Sequence, residues 1–198
     1  MRGITVKFDL RQAVAFPWLV LAGFWAITAV STKKPLRRES VASRLYHLLC
    51  MTAAFALLFR QEPRIAQLGL RIVTSPEAAY TGFVLTILGA AFAIWARWTL
   101  GGNWSATVTV KEKHSFVQRG PYRLVRHPIY AGGLLAMFGT ALVYGEAGCF
   151  LAVIVAFVGW WLKAGMEEEF MTQRFGEDYR RYQRSVGQFL PFVLVGWG

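Results

Sequence analysis

Ala78-Ala-Tyr-Thr-Gly-Phe-Val-Leu-Thr-Ile-Leu-Gly-Ala-Ala-Phe-Ala-Ile-Trp-Ala-Arg-Trp-Thr-Leu100 carries a single charge, Arg97, in its last turn. About 20 mostly apolar residues in helical form cross the hydrocarbon core of a bilayer. This run is therefore expected to be a transmembrane helix. Four further apolar runs lie around it. Upstream are Gln12 to Val30, with Trp18 and Trp25, and Val41 to Phe59, with Arg44 and His47 in its first turns. Downstream are Ile129 to Tyr144, short and rich in glycine, and Ala147 to Leu162. Only Gly145 and Glu146 separate the last two, which predicts a tight helical hairpin.

The expected fold is all-α: an integral membrane protein of about five transmembrane helices with a cytoplasmic C-terminal helix. Residues 1–198 form a single membrane domain, with two spans in 1–77 and a functional core in 78–198. Composition agrees. The chain is 55% hydrophobic and 17% charged, with a mean hydropathy of +0.38, whereas soluble domains carry about 25% charge. The net charge of +11 is that of basic loops flanking membrane spans, and no nucleic-acid partner is expected. Asp9 and Arg11 precede the first apolar run, so the N-terminus does not read as a signal peptide. Cys50 and Cys149 lie inside apolar runs and read as small buried hydrophobes. No Cys/His cluster has metal-ligand spacing, so no metal is expected.

Charge placement predicts the topology. With five spans, one side holds 16 of the 22 Lys and Arg residues: those of 31–44, Arg97, the 101–128 loop and the C-terminal stretch. The positive-inside rule puts that side in the cytoplasm. Asn103-Trp-Ser105 then faces the cytoplasm, and its glycosylation pattern is coincidental.

The most polar part of the membrane-proximal sequence is Gly120-Pro-Tyr-Arg-Leu-Val-Arg-His-Pro-Ile-Tyr130. Pro128 predicts the first turn of the fourth span, with Arg126 and His127 just outside it. Spacing alone leaves two readings. Arg123 and Arg126 reach lipid headgroups while Tyr122 and Tyr130 sit in an interfacial belt, or the segment lines a site. Farther on, Glu167 to Arg184 reads as a separate helix with an acidic start, a basic end and an aromatic side of Phe170, Phe175, Tyr179 and Tyr182. Lys163 and Glu167, four apart, share a helix face.

Read together, these segments resemble the isoprenylcysteine carboxyl methyltransferase family, which shares its core with phospholipid N-methyltransferases. The residues carrying the resemblance are Gly102-Asn-Trp-Ser105, Val110-Lys-Glu-Lys-His-Ser-Phe-Val117, Gly120 through Gly132, Glu167-Glu-Glu169, Phe175-Gly-Glu-Asp-Tyr179, Tyr182 and Phe189-Leu-Pro191. They cover roughly residues 98 to 192. The resemblance implies a membrane enzyme using S-adenosyl-L-methionine, with the cofactor open to the cytoplasm. By position it implies cofactor contacts at His114, Ser115, Phe116 and Val117, at Tyr122, at His127, Pro128, Ile129 and Tyr130, and at Glu167. Lys163 stands where the family places a substrate-facing arginine, keeping the charge without the bidentate fork. Arg126 is the other cation expected near the acceptor, so Arg126 and Lys163 are the candidate catalytic and substrate-binding pair.

The implied acceptor is lipophilic, most directly the α-carboxylate of a prenylcysteine. The alternatives are an amine headgroup of a phospholipid or other lipid, an NADPH-dependent sterol-type reductase, and a non-enzymatic membrane scaffold. An amine must lose a proton and calls for a carboxylate base, whereas Lys163 favours an anionic acceptor.

Overall fold

A computed structural model describes residues 9–29, 41–59, 70–101 and 116–191. The chain runs α1 (Leu10–Ala13), α2 (Ala15–Ala29), α3 (Val41–Phe59), α4 (Pro76–Leu100), a 3-10 turn at Gly120–Arg123, α5 (Pro128–Tyr144), α6 (Ala147–Phe175) and α7 (Glu177–Ser185). Among the described residues there is no strand, only isolated bridges at Arg71–Glu146 and Val125–Gly187. Leu10–Thr28, Val41–Phe59, Pro76–Leu100 and Ala147–Phe175 are each long and apolar enough to cross a membrane. α5 is shorter, with 17 residues, or ~26 Å at about 1.5 Å per residue. Large apolar side chains point outward, Ile27 at 79% and Trp98 at 74% exposure, as lipid-facing surfaces require.

Local chemistry sets the boundaries. Ser75 caps α4 by accepting from the Ala78 N–H at 3.2 Å, with Pro76 beginning the helix. At its other end Arg97 donates to the Gly101 carbonyl at 2.9 Å and the Thr28 carbonyl at 2.7 Å, tying α4 to α2. α5 begins at Pro128 as the sequence predicts, and the α5–α6 hairpin turns on Gly145 in the left-handed region, φ 71°. A Cβ there would lie 2.0 Å from the Val73 carbonyl oxygen, because that strand of chain donates Ile72 and Val73 N–H groups to the Gly145 carbonyl. Cys149 is buried, Cys50 half-buried, and neither forms a disulfide.

The separate helix expected over Glu167 to Arg184 is not there. α6 continues unbroken past Leu162 to Phe175, and the three glutamates lie within it. The break comes at Gly176, φ 56°, and α7 starts at Glu177. Three consecutive glutamates look like a helix start, but they are also good helix formers. Here partners at the start of α5 and on α7 hold the charge of Glu167 and Glu168, while Glu169 is exposed.

α4 and α5 pack at backbone contact through Gly82 and Gly89 on one side and Gly139 and Gly132 on the other. A Cβ at Gly89 would meet the Ala136 nitrogen at 2.4 Å, and one at Gly139 the Gly82 oxygen at 2.4 Å. Such close approach replaces the hydrophobic drive that lipid-embedded helices lack. The Thr86 hydroxyl seals the seam, donating to Gly82 O at 2.9 Å beside Thr140 Oγ1 at 3.3 Å. Trp18 of α2 donates to Thr140 at 3.0 Å. Gly133 instead faces Trp160 on α6. This rigid pair fixes where α5 begins, and so where its preceding polar residues lie.

Candidate active site

The segment leading into α5 is zipped to the chain that follows α7. Arg126 N donates to Gly187 O at 2.8 Å and His127 N to Gln188 O at 3.1 Å. These bonds satisfy backbone groups ahead of the helix and aim the Arg126 and His127 side chains at α6.

There they meet Glu168. Arg126 donates Nε to Oε1 at 2.8 Å and Nη2 to Oε2 at 3.2 Å, a bidentate pair. His127 Nε2 lies 2.9 Å from the same Oε1, and Gln183 of α7 donates to Oε2 at 2.9 Å. Arg126 Nη1 also donates to the carbonyls of Gln183 and Val186. The guanidinium is thus turned into the protein with a side-chain exposure of 10%. Arg126 was expected beside an acceptor; its fork is committed to Glu168 and to the end of α7.

Glu167 points elsewhere. Its Oε1 accepts the Tyr130 hydroxyl at 2.7 Å, and its Oε2 lies 3.4 Å from His127 Nδ1. The imidazole is therefore held between two carboxylates. It stacks parallel to the Tyr130 ring at 5.6 Å, and Tyr130 stacks on Trp160 at 5.7 Å. Burial opposes charging His127, but the hydrogen bonds it donates to the Glu167 and Glu168 carboxylates outweigh it and raise its pKa above the usual imidazole value. Tyr122 is buried in the 3-10 turn. Burial first, and the nearby Glu167 charge second, push its phenol up, so it stays protonated.

A cavity of 730 Å³ opens beside this network, walled by α2, α3, α4, α5 and α6. Its lining is aromatic and aliphatic, including Trp18, Trp25, Met51, Phe55 and Trp160. The polar side chains His47, Tyr130 and Lys163 also line it. Lys163 is only 5% exposed. Small-molecule sites have this character, apolar walls with a few placed polar groups.

The structure brings most of the expected residues together. His127, Tyr130 and Glu167 are in contact, Ile129 and Lys163 share the cavity, and Pro128 is fully buried behind them. Phe116 joins a second cluster, 5.0 Å from Phe175, 5.6 Å from Tyr179 and 5.7 Å from Tyr182. The aromatic side of α7 thus caps the Phe116 segment, and the Tyr182 hydroxyl bonds the Tyr122 carbonyl. Val117 is half-buried next to it. His114 and Ser115 lie outside the described residues. Sequence reasoning missed Glu168, Gln183, Trp160 and His47. The Glu run contained the first, but only partners on α5 and α7 distinguish it from Glu167.

Comparison with known proteins bears on this geometry. The profile of the phospholipid methyltransferase family matches residues 78–178. A mouse protein-S-isoprenylcysteine O-methyltransferase is 30% identical over 96% of this chain and 70% of its own length. Protein-S-isoprenylcysteine O-methyltransferase A of Arabidopsis thaliana is 34% identical over 57% of this chain and 58% of its own. A probable rice enzyme of that name matches 62% of its own length, so the chain spans about three fifths of these plant relatives. A solved structure of the eukaryotic intramembrane Ras methyltransferase, isoprenylcysteine carboxyl methyltransferase, superposes with TM-score 0.64 at 20% identity. The match covers 96% of this chain and 70% of that one. It is an integral membrane fold, and the chain belongs to the phospholipid methyltransferase family, with similarity to isoprenylcysteine O-methyltransferases along nearly its whole length.

Proposed function

We propose that this protein methylates the α-carboxylate of a prenylcysteine at the cytoplasmic membrane face, with S-adenosyl-L-methionine as donor and residues 78–198 as its catalytic core. The observation that carries the reading is the adjacency of two unlike compartments. The Glu167, His127 and Tyr130 cluster borders an apolar cavity lined also by Lys163. An amphiphilic acceptor and a polar cofactor need such neighbours. The relatives' names support the same reaction, and the excess of cations on one side supports the cytoplasmic face.

The residues present fit that cofactor. A carboxylate offers about four lone-pair positions, and Tyr130 and His127 engage Glu167 without exhausting them. Glu167 is able to hold an ammonium or ribose hydroxyls beside His127 and Tyr130, and the further cofactor contacts we assign are Phe116, Val117, Tyr122, Pro128 and Ile129, with His114 and Ser115 assigned from the sequence alone. Aromatic rings attract a sulfonium by about 0.5–2 kcal/mol, and the stacked His127, Tyr130 and Trp160 rings form an aromatic wall beside Glu167. When bound, S-adenosylmethionine supplies a methyl group on positively charged sulfur, which an acceptor carboxylate oxygen takes in line while the C–S electron pair stays on sulfur; no proton moves.

The protein's own contribution is placement. Lys163 orients the acceptor carboxylate without protonating it, and the aromatic cavity takes the prenyl chain and excludes water. Holding both partners in register supplies about 7–11 kcal/mol of the barrier reduction in favourable cases. We assign Arg126 a positioning role: through Glu168 it fixes His127 and the end of α7. Lys163→Met tests the reading. Acceptor KM rises while S-adenosylmethionine affinity, read by calorimetry, holds; equal loss of both contradicts the assignment of Lys163.

A further inference from the structure

We infer that Trp18 is the floor of the cavity and limits the length of the prenyl chain that the protein accepts. The inference rests on the prenylcysteine reading above and narrows it to a thioether of farnesyl length.

Helix register gives the cavity a polar end and an apolar end. Cys50 and Met51 of α3 pack on Gly159 of α6, and the Cys149 thiol lies 3.7 Å from the Leu58 carbonyl, so α3 and α6 run antiparallel. Lys163, one turn beyond Gly159, is therefore level with His47, and Phe59 lies at the other end. Between His47 and Phe59 the helix rises ~18 Å at about 1.5 Å per residue.

Trp18 crosses that far end. Its indole N–H donates to Thr140 Oγ1 of α5 at 3.0 Å. Its ring meets Phe55 and Phe59 of α3 edge-on, at 5.3 Å and 6.0 Å. One side chain of α2 is thus held between two other helices. Thr140 is fully buried in the close-packed α4–α5 seam, which gives the indole a fixed anchor. Beyond the ring, Val14 and Leu58 are 0% and 1% exposed and belong to the packed core, so the open space ends there. An extended carbon chain advances roughly 1.2 Å per bond, so a farnesyl main chain runs about 14 Å and a geranylgeranyl chain about 19 Å. With the acceptor carboxylate at Lys163 and the cysteine carbons below it, the first chain reaches Trp18 and the second overruns it. A close-packed interior yields to such an overrun only with strain.

The test offers the full chain in detergent three N-acetylcysteine thioethers, S-geranyl, S-farnesyl and S-geranylgeranyl, with methyl-labelled S-adenosylmethionine, and reads base-labile label. The wild-type protein prefers farnesyl to geranylgeranyl in kcat/KM by about tenfold or more, the range for surplus apolar groups in a closed pocket. Trp18→Ala opens the floor. Use of geranylgeranyl rises and the ratio narrows severalfold, with S-adenosylmethionine affinity unchanged. Ala15 lines the same cavity three residues before Trp18. Ala15→Leu fills this end, moves the preference from farnesyl towards geranyl, and stands in should the Trp18 variant not fold. Equal use of farnesyl and geranylgeranyl by the wild-type protein overturns the role of Trp18 alone. So does a uniform loss across all three acceptors in the variants, or ratios that do not move. No ester on any of the three overturns both this role and the prenylcysteine reading.

Discussion

His127 and Glu168 are joined side chain to side chain, imidazole Nε2 to carboxylate Oε1 at 2.9 Å, across 41 residues of sequence. The same carboxylate takes Arg126 in bidentate fashion and Gln183 from α7. One buried anion thus gathers the start of α5, the last third of α6 and the C-terminal helix.

Glu168→Gln leaves Arg126 buried without its counter-charge. Breaking a buried pair from one side costs about 3–5 kcal/mol, so a marked drop in the thermal midpoint in detergent is expected. An unchanged midpoint shows that Glu168 does not hold the fold together.

Glu167→Gln behaves differently. Its side chain is 26% exposed, and the substitution keeps an oxygen for Tyr130. Cofactor affinity falls about tenfold or more, the equivalent of a hydrogen bond to a charged group, while the thermal midpoint moves little. Unchanged affinity in calorimetry removes Glu167 from the site.

Stability depends on pH through His127, which faces Glu167 and Glu168. Its folded-state pKa is raised, so the folded protein binds the proton more tightly than the unfolded chain. The stabilisation is complete below the unfolded value of about 6.5 and is lost as pH rises through the higher folded value. The midpoint of the wild-type protein therefore falls above that pH more steeply than that of His127→Asn. Parallel slopes contradict the assignment.

The glycine seam gives a packing prediction with an internal control. Gly132→Ala puts a Cβ 2.7 Å from the Gly89 oxygen, whereas Gly165 has nothing within 4 Å. Overpacking at the first costs about 1–3 kcal/mol. Gly165→Ala is neutral or stabilising by up to about 1 kcal/mol, from helix propensity. Equal midpoints for the two variants contradict the observed seam.

Much of this was legible in the sequence because membrane helices announce themselves by length and composition. Val41–Phe59, the Pro128 start and the hairpin at Gly145 follow from run length, proline and glycine alone. The continuity of α6 was not legible, since whether charge ends a span depends on partners in other helices. Glu168 was hidden for a related reason. Neighbouring helix positions point about 100° apart, and three identical residues carry no signal for which one faces Arg126. The direction of Arg126 was equally hidden, because two of its partners are backbone carbonyls of Gln183 and Val186. The cavity needed the fold itself, since His47 and Lys163 come from helices more than 100 residues apart in sequence.

Methyl transfer to a carboxylate leaves an ester, and the fate of labelled methyl distinguishes an ester from an N-methyl group. Purified protein is incubated in detergent with methyl-labelled S-adenosylmethionine and either a farnesylcysteine analogue or total membrane lipid. Volatile, base-labile label in the farnesylcysteine sample is predicted, the signature of a methyl ester, and its yield drops with Lys163→Met. Base-stable label in the lipid sample alone, or no label in either, contradicts the account.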